Sequence, residues 1–451
     1  MGKRMSLIVV TLVSLAVAVG GYEWAEGGGM GQKEGEDWFM LQHSKHVVKT
    51  DAGDMRVVKG FGSRFIKSSI HIGFINMQPR TLFIPQYLDS SLILFIHRGE
   101  ARIGHIYKDE LVERSLEMGD IYRIAAGSAF YLINTAERHR LHVICSIDTS
   151  DSLGGHTFQP FYVAGGTYPT SLLSGFDRQT LSTAFNVSEA ELGKMLTRQR
   201  EGPIVYLSDT HSSSAWSIFL DMEQQQRLAQ MRKIVRMREE DIDAENEQPT
   251  WFFRKLLISV FGKVDKRVQD KRGKTKTGPD SYNIYNRKPD FENNYGWSIA
   301  LDESDYSPLS HDDVGVYLVN LSAGSMMAPH IHPRATEYGI VLRGSGTIQI
   351  VYPNGSLAMN AKVTEGDVFW IPRYFPFCQI ASHRGPFEFF GFTTSARNNR
   401  PQFLVGANSL LHTIRGSELA AAFGLNEDKL KRIVDAQRES TILPSAVMRQ
   451  L

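Results

Sequence analysis

GSMMAPHIHPRATEYGIVLRG, residues 324–344, places two histidines and a glutamate between two glycines. His330 and His332 are separated by one residue, so in a β-strand both imidazoles point to the same face. Glu337 follows Pro333, where a turn can bring the carboxylate back from the neighbouring strand. Neutral imidazoles and a carboxylate are ligands that divalent transition metals accept. The stretch therefore predicts a pocket within β-structure, with His330, His332 and Glu337 as candidate metal ligands.

The chain contains an internal repeat. AFNVSEAEL at residues 184–192 matches AFGLNEDKL at residues 422–430, and Gly119-Asp120 matches Gly366-Asp367. Each half contains short runs rich in β-branched and aromatic residues, which favour strands. Such a duplication predicts two similar β-barrels. The predicted strands are Leu92–His97, Gly119–Ile124, Phe130–Ile133, Glu337–Leu342, Thr347–Val351 and Asp367–Ile371.

Both halves end in a predicted helical tail. Ser188 with Glu191 three residues later is typical of a capped helix start, and Asn426 can cap the second copy. Each tail carries an apolar stripe that neither barrel surface is expected to cover within one subunit, so the stripes predict subunit contacts. The stripe residues are Leu181, Phe185, Leu192 and Met195 in the first tail and Leu419, Phe423, Leu430 and Ile433 in the second.

The spacing G-x5-H-x-H-x4-E-x6-G resembles the first signature of the cupins, small β-barrels that often hold a metal. The whole chain resembles the vicilin-type (7S-like) seed storage globulins of that superfamily. The resemblance is carried by FQPFYVAGG at 158–166, YNIY at 282–285, GDVFWIP at 366–372 and FLVG at 403–406. It implies a mainly β bicupin, with two double-stranded β-helix (jelly-roll) barrels that are each followed by a helical arm.

The resemblance also implies a domain plan and a role. It predicts an N-terminal cupin with its arm at residues 38–205, a helical and charged linker insert at 206–280, and a C-terminal cupin with its arm at 281–445. The arms are expected to build a homotrimer. The expected role is seed storage as a nutrient reservoir. The alternative is a cupin that binds a metal or a small organic anion through His330 and His332, with at most weak redox activity.

The first residues predict entry into the secretory pathway. Lys3 and Arg4 precede an apolar run from Leu7 to Val19, which is short for a membrane span. Residues 1–21 are therefore read as a signal peptide rather than a signal anchor, which leaves no stable membrane span in the mature protein. The expected location is a protein storage vacuole or the extracellular space. Three glycosylation sequons fit this route, and the turn sequence around Asn354 makes it the first candidate, before Asn320 and Asn186.

Composition excludes several other classes. The formal net charge is +1 over 451 residues, without the basic surface that nucleic-acid binding requires. Only two cysteines occur, too few for a disulfide framework. Cys145 lies in the apolar run HVICSI and is interpreted as a core residue.

The two predicted barrels differ in their ligands. At an offset of 245 residues, Pro85, Tyr87 and Leu92 stand where the second half has its two histidines and glutamate, so the first barrel is predicted to be apolar or free of ligand. In the second barrel Phe377 occupies the position of the usual third histidine, with Cys378 beside it.

A thiolate from Cys378 would suit copper or zinc, and manganese is the third candidate metal. Strand alternation points Cys378 away from the pocket unless a bulge near Pro376 reverses it. The incomplete set of histidines predicts no catalytic residue and a protein that is not an enzyme.

Overall fold

The computed structural model describes residues 38–60, 70–107, 110–150, 152–153, 158–207, 281–397 and 400–444. The predicted signal peptide at residues 1–21 lies outside this range, as does the predicted linker insert from residue 208 to 280. The described chain is mainly β, and the predicted fold of two barrels with helical arms is confirmed.

The first half forms two facing sheets. One has the strand order β1-β2-β3-β10-β5-β8-β13, and the other has the order β11-β4-β9-β6-β7 with β12 added beside β4. The strands of this half are β1 Ser44–Thr50, β2 Gly53–Val58, β3 Ile70–Met77, β4 Thr81–Leu88, β5 Ser91–Arg98, β6 Ala101–Tyr107, β7 Glu110–Leu116, β8 Asp120–Ile124, β9 Phe130–Asn134, β10 Leu141–Asp148, β11 Pro160–Tyr162 and β12 Ile204–Tyr206.

The second half repeats this plan in one continuous set of paired strands, whose main path is β14-β15-β16-β23-β19-β22-β17-β25. Its strands, together with β13 that pairs with the first half, are β13 Tyr282–Asn283, β14 Phe291–Asn293, β15 Gly296–Leu301, β16 Gly315–Leu321, β17 Met326–Met327, β18 His330–Ile331, β19 Glu337–Val351, β20 Leu357–Thr364, β21 Val368–Ile371, β22 Phe377–Ala381, β23 Phe387–Thr393, β24 Gln402–Phe403 and β25 Ile442–Leu443. Short 3₁₀ turns occur at Leu172–Gly175, Ile284–Asn286 and Ser307–His311.

Several strands are buried on both faces, because the two barrels pack against each other. In β5, Leu94 faces the first barrel's own core, whereas Phe95 belongs to a core shared by both barrels. In β23, Phe389 faces the second barrel's core and Phe390 faces the shared core. The rings of Phe95 and Phe390 stack across the interface with centroids 3.9 Å apart. Two-sided burial explains why these strands read as unbroken apolar runs rather than alternating patterns.

A buried ion pair also joins the barrels. Arg123 of β8 donates two hydrogen bonds to Asp312, from Nε to Oδ2 at 2.6 Å and from Nη2 to Oδ1 at 2.7 Å. A second pair, Arg98 with Glu365 at 3.0 Å, spans the same interface at the exposed surface. Both pairs join an arginine to a carboxylate, but the first pair is far less exposed than the second.

The two halves exchange short segments at their starts. Residues 38–41 lie on the second barrel, where Leu41 N–H donates to the carbonyl of Val368 and Trp370 Nε1–H donates to the carbonyl of Trp38. In return, β13 pairs with β8 of the first barrel. Residues 38 and 283 are equivalent at the repeat offset of 245, so the exchange is reciprocal. Pairing between distant segments produces this exchange, and no local pattern signals it.

Two predicted strands are one strand in the structure. β19 covers both Glu337–Leu342 and Thr347–Val351, and it pairs with β21 and β23 before Gly344 but with β20 and β22 after it. Gly344 has φ of +80°, and a Cβ there would lie 1.9 Å from the carbonyl oxygen of Pro386. The glycine therefore bends the strand between two sheets without ending it.

The arms consist of short helices, which are α1 Arg178–Phe185, α2 Glu189–Thr197, α3 Leu410–Thr413, α4 Ser417–Ala422 and α5 Glu427–Val434. The predicted caps are observed, with a full capping box between Ser188 and Glu191 and a bond from Lys429 N–H to the side chain of Asn426. None of the helices in the described ranges is long and apolar enough to cross a membrane.

The apolar stripes of the arms divide into two sets. Leu181, Leu192 and Leu430 are buried within their own arm and stabilise its helix pair, which corrects the expectation that the whole stripe faces a neighbouring subunit. Leu419 is half-buried. The other four members are exposed at equivalent positions of the repeat, namely Phe185 and Met195 in the first arm and Phe423 and Ile433 in the second.

Candidate functional site

His330 is buried in the second barrel, and its Nε2 atom is available to bind a metal ion. Its β18 backbone is paired opposite Phe377 on one side and Phe403 on the other, and the imidazole contacts both rings. Its Nδ1–H donates to the carbonyl of Ala328 at 2.8 Å, which leaves the Nε2 lone pair free. Burial, with a smaller effect of His332, lowers the pKa of His330 to about 4. The imidazole is therefore neutral near pH 7, as a metal ligand must be.

His332 and Glu337 complete a three-residue cluster. His332 Nε2 lies 3.0 Å from Oε2 of Glu337, and one donor atom from each of the three side chains lies within 4.8 Å of the others. Donor atoms around one zinc ion lie about 3.4 Å apart, which follows from metal–ligand bonds of about 2.0–2.1 Å in a tetrahedron. The structure thus brings together the three residues that the signature predicted.

Gln379 is a member of the site that sequence reasoning missed. It lies on β22 two positions after Phe377, hence on the same face, and its Nε2 donates to Oε1 of Glu337 at 3.4 Å. Its buried Oε1 has no hydrogen-bond partner among the described residues, and the same holds for Nδ1 of His332. Same-face spacing from the predicted third-ligand position was the available signal, but the predicted set was limited to histidine, cysteine and carboxylate.

Cys378 does not belong to this cluster. The register between β22 and β19 is unbroken from Phe377 to Ala381, so no bulge reverses the alternation of side chains. The Sγ of Cys378 lies on the other face, 3.8 Å from Oε1 of Gln349, and burial raises the pKa of its thiol to about 11. The suggested thiolate ligand is therefore corrected, because the side chain of Cys378 points away from the cluster.

The cluster opens into a cavity of about 490 Å³. Apolar side chains such as Met327 and Phe389 line its inner part, and polar residues including Arg400 lie on its lining as well. The hydroxyl of Tyr317 donates a hydrogen bond to the backbone carbonyl of Tyr338 at 3.3 Å, while burial and the nearby carboxylate of Glu337 raise the pKa of Tyr317 well above the usual range. Two converging imidazoles, a buried carboxylate and an unpartnered amide oxygen fit a divalent metal ion. A bound metal would supply a positive charge that attracts an anion into this cavity.

In the first barrel, the side chain at the position equivalent to His330 differs from the one that the internal repeat predicted. An irregularity between Phe83 and Gln86 in β4 shifts the register, so Gln86 pairs opposite Phe130 as His330 pairs opposite Phe377. Gln86 and Leu88 therefore face inward where Pro85 and Tyr87 were expected, and Tyr87 stacks outside on Phe161. Leu92 does occupy the position of Glu337. No group of three potential metal-binding side chains occurs in the described part of this barrel.

The three sequons lie in different surroundings. Asn354 is exposed in a turn, and its Oδ1 accepts hydrogen bonds from the N–H and Oγ of Ser356. Asn186 is exposed at the end of α1 with φ of +52°. Asn320 is half-buried in β16 between two paired strands, which leaves it the least accessible of the three.

Comparisons with known proteins agree with this architecture. The cupin family model matches residues 282–431. A vicilin-like seed storage protein of Arabidopsis thaliana is 53% identical over 414 residues, which is 90% of this chain and 80% of that protein. Another from the same plant is 30% identical over 393 residues, covering 82% of this chain and 67% of its own length.

Solved structures agree with the fold. The vicilin of Corylus avellana superimposes with a TM-score of 0.70 at 24% identity and covers 90% of this chain and 99% of its own. A vicilin of Solanum melongena, whose crystal structure revealed different anionic ligands in structurally similar pockets, gives a TM-score of 0.71 at 19% identity. It covers 92% of this chain and 100% of its own. At these identities the similarity concerns the fold alone.

Proposed function

This chain belongs to the family of vicilin-like seed storage proteins, and from that premise we propose that it is a non-catalytic nutrient reservoir, stored as a homotrimer in protein storage vacuoles. The observation that carries the proposal is 53% identity to a seed storage protein over 90% of the chain. A storage role requires a compact fold rather than an active site. Strands buried on both faces and a shared core between the barrels supply such a fold.

The secretory details follow from the same proposal. Residues 1–21 direct the chain into the secretory pathway as a cleaved signal peptide. Asn354 carries the glycan, because its turn is exposed and the neighbouring Gly355 leaves it uncovered. Asn186 is the second candidate.

The storage role makes a prediction about abundance. We expect the protein to accumulate late in seed maturation and to fall steeply within the first days of germination, because a reserve is useful only if it is degraded then. Quantitative mass spectrometry of staged seeds and seedlings measures this. A protein that is scarce in mature seed and persists in the seedling would contradict the storage role.

A second candidate function concerns the cavity of the second barrel. We propose that His330, His332 and Glu337 hold a copper, zinc or manganese ion, and that the cavity accepts a small organic anion beside it. The support is the convergence of three donor atoms within 4.8 Å and the unpartnered amide oxygen of Gln379. The anionic ligands of the Solanum melongena vicilin make the same class of occupant reasonable here.

Metal content tests this second function. After loading with zinc and desalting, the wild-type protein is expected to retain about one ion per chain, since three protein ligands form a usual zinc site. The double variant His330→Ala, His332→Ala should retain none, because a lone carboxylate binds zinc weakly. Elemental analysis by plasma mass spectrometry provides the stoichiometry, and circular dichroism confirms that both proteins are folded.

The matched control is His311→Ala, His383→Ala, which removes two exposed histidines outside the cluster. It should retain as much zinc as the wild type. Equal zinc in all three proteins would show that the cluster holds no metal. The same comparison with copper and manganese identifies the preferred ion.

A further inference from the structure

The first barrel contains its own cavity, separate from the candidate metal cluster. Its volume is about 230 Å³. The walls are almost entirely apolar side chains, including Val48, Met55, Ile75, Phe83, Leu92 and Phe130. An apolar cavity of about 150 Å³ is sufficient for benzene, so this one has room for a single ring with a short substituent.

One amide is the exception to this apolar lining. Gln86 is 2% exposed, and its side chain lies among the residues that line the cavity. It faces the cavity at the position that His330 holds in the second barrel. An amide in apolar surroundings is stabilised by a hydrogen-bond partner, and a molecule that enters the cavity can supply one to Gln86.

The chemistry of the surroundings narrows the occupant. Gln86 is flanked on the neighbouring strands by Phe130 and Tyr162. Aromatic rings on both sides favour an aromatic occupant. Burial raises the pKa of the Tyr162 phenol to about 12, so this side chain is uncharged at physiological pH. Lys45 and His46 also line the cavity, but they belong to the exposed part of β1 at the rim of the cavity.

From this geometry we infer that the first barrel binds a small neutral aromatic molecule with one hydroxyl group, held by a hydrogen bond to the amide of Gln86. The amide can donate to the hydroxyl oxygen or accept its proton. The apolar walls exclude water around the ring, which strengthens that single polar contact. The second barrel cannot substitute for this site, because the polar side chains of His330, His332 and Glu337 occupy the equivalent position there.

The test measures the affinity of the purified full-length protein for 4-ethylphenol by isothermal titration calorimetry. Ethylbenzene and 4-ethylbenzoate are the comparison probes, since the first lacks the hydroxyl and the second replaces it with a negative charge. The wild type should bind 4-ethylphenol more tightly than either of them. Tighter binding of 4-ethylbenzoate would overturn the inference in favour of an anion site formed by the rim cations.

Two variants locate the site. Gln86→Leu keeps the size of the side chain and removes the amide, so 4-ethylphenol should bind roughly three- to ten-fold more weakly, as expected for one neutral hydrogen bond. Its unfolding midpoint should not fall, because no contact with the protein is lost. Leu92→Phe fills part of the cavity and should weaken 4-ethylphenol and ethylbenzene alike.

The matched control is Gln349→Leu, the same amide-to-leucine change on β19 outside both cavities. It should bind 4-ethylphenol as the wild type does. Unchanged affinity in Gln86→Leu, or a loss of stability in that variant, would show that the amide has a structural role and no ligand.

Discussion

Phe423→Asp combined with Ile433→Asp is expected to convert the proposed homotrimer into monomers. These side chains are 57% and 58% exposed in the single chain, at positions that the repeat duplicates in Phe185 and Met195. Burying a large apolar side chain contributes about 1.5–3 kcal/mol, so two of them in each interface form a major part of its stability. Aspartate at these positions would place unpaired charge in the same contact. Light scattering coupled to size-exclusion chromatography measures the mass of the particle.

The control is Leu357→Asp, which introduces the same charge at a residue that is 62% exposed on a barrel strand outside the arms. It should remain trimeric. The double variant should still fold, because the buried Leu430 holds α5 in place independently of the two substituted residues. Circular dichroism checks this. A wild-type monomer, or a double variant that stays trimeric, would refute the role of the arms.

Asp312→Ala is the second substitution with a large expected effect. It removes the partner of Arg123, whose side chain is 14% exposed while that of Asp312 is 6% exposed. A charge left buried without its partner destabilises a protein by about 3–5 kcal/mol, because the ion can no longer be solvated or neutralised. The free energy of unfolding in urea should fall by that amount. The interface between the barrels should be lost first.

Two further variants separate the effect of burial on the free energy of unfolding from the effect of charge. Glu365→Ala breaks the pair with Arg98, whose two side chains are 55% and 56% exposed, and should cost less than about 1 kcal/mol. Arg123→Met with Asp312→Leu removes both buried charges and should recover most of the stability lost in Asp312→Ala. If Glu365→Ala were as damaging as Asp312→Ala, burial would not explain the difference.

Local patterns in the sequence predicted the larger features correctly. The spacing of His330, His332 and Glu337 placed three donors in one cavity because two same-face residues on a strand and one on its neighbour converge by geometry alone. The capping box at Ser188 also follows from contacts within four residues. The repeat predicted two barrels, since similar segments bury their apolar faces in similar ways.

The sequence misled where the outcome depended on pairing between distant strands. Because of an irregularity in β4, Gln86 rather than Pro85 faces the cavity, since a register shift of one residue turns each side chain to the opposite face. For Cys378, unbroken pairing with β19 kept the thiol outside the site and placed Gln379 within it. Neither register could be chosen from the strands taken singly.

Short-range chemistry by itself therefore determined the cupin barrels, the helix caps and the three converging ligands. Tertiary structure alone decided the reciprocal exchange of residues 38–41 and β13, and the division of the arm stripes into buried Leu192 and exposed Met195. Both apolar stripe positions look alike in the sequence. Which of them finds a partner within the chain depends on the surface that the rest of the fold brings against it.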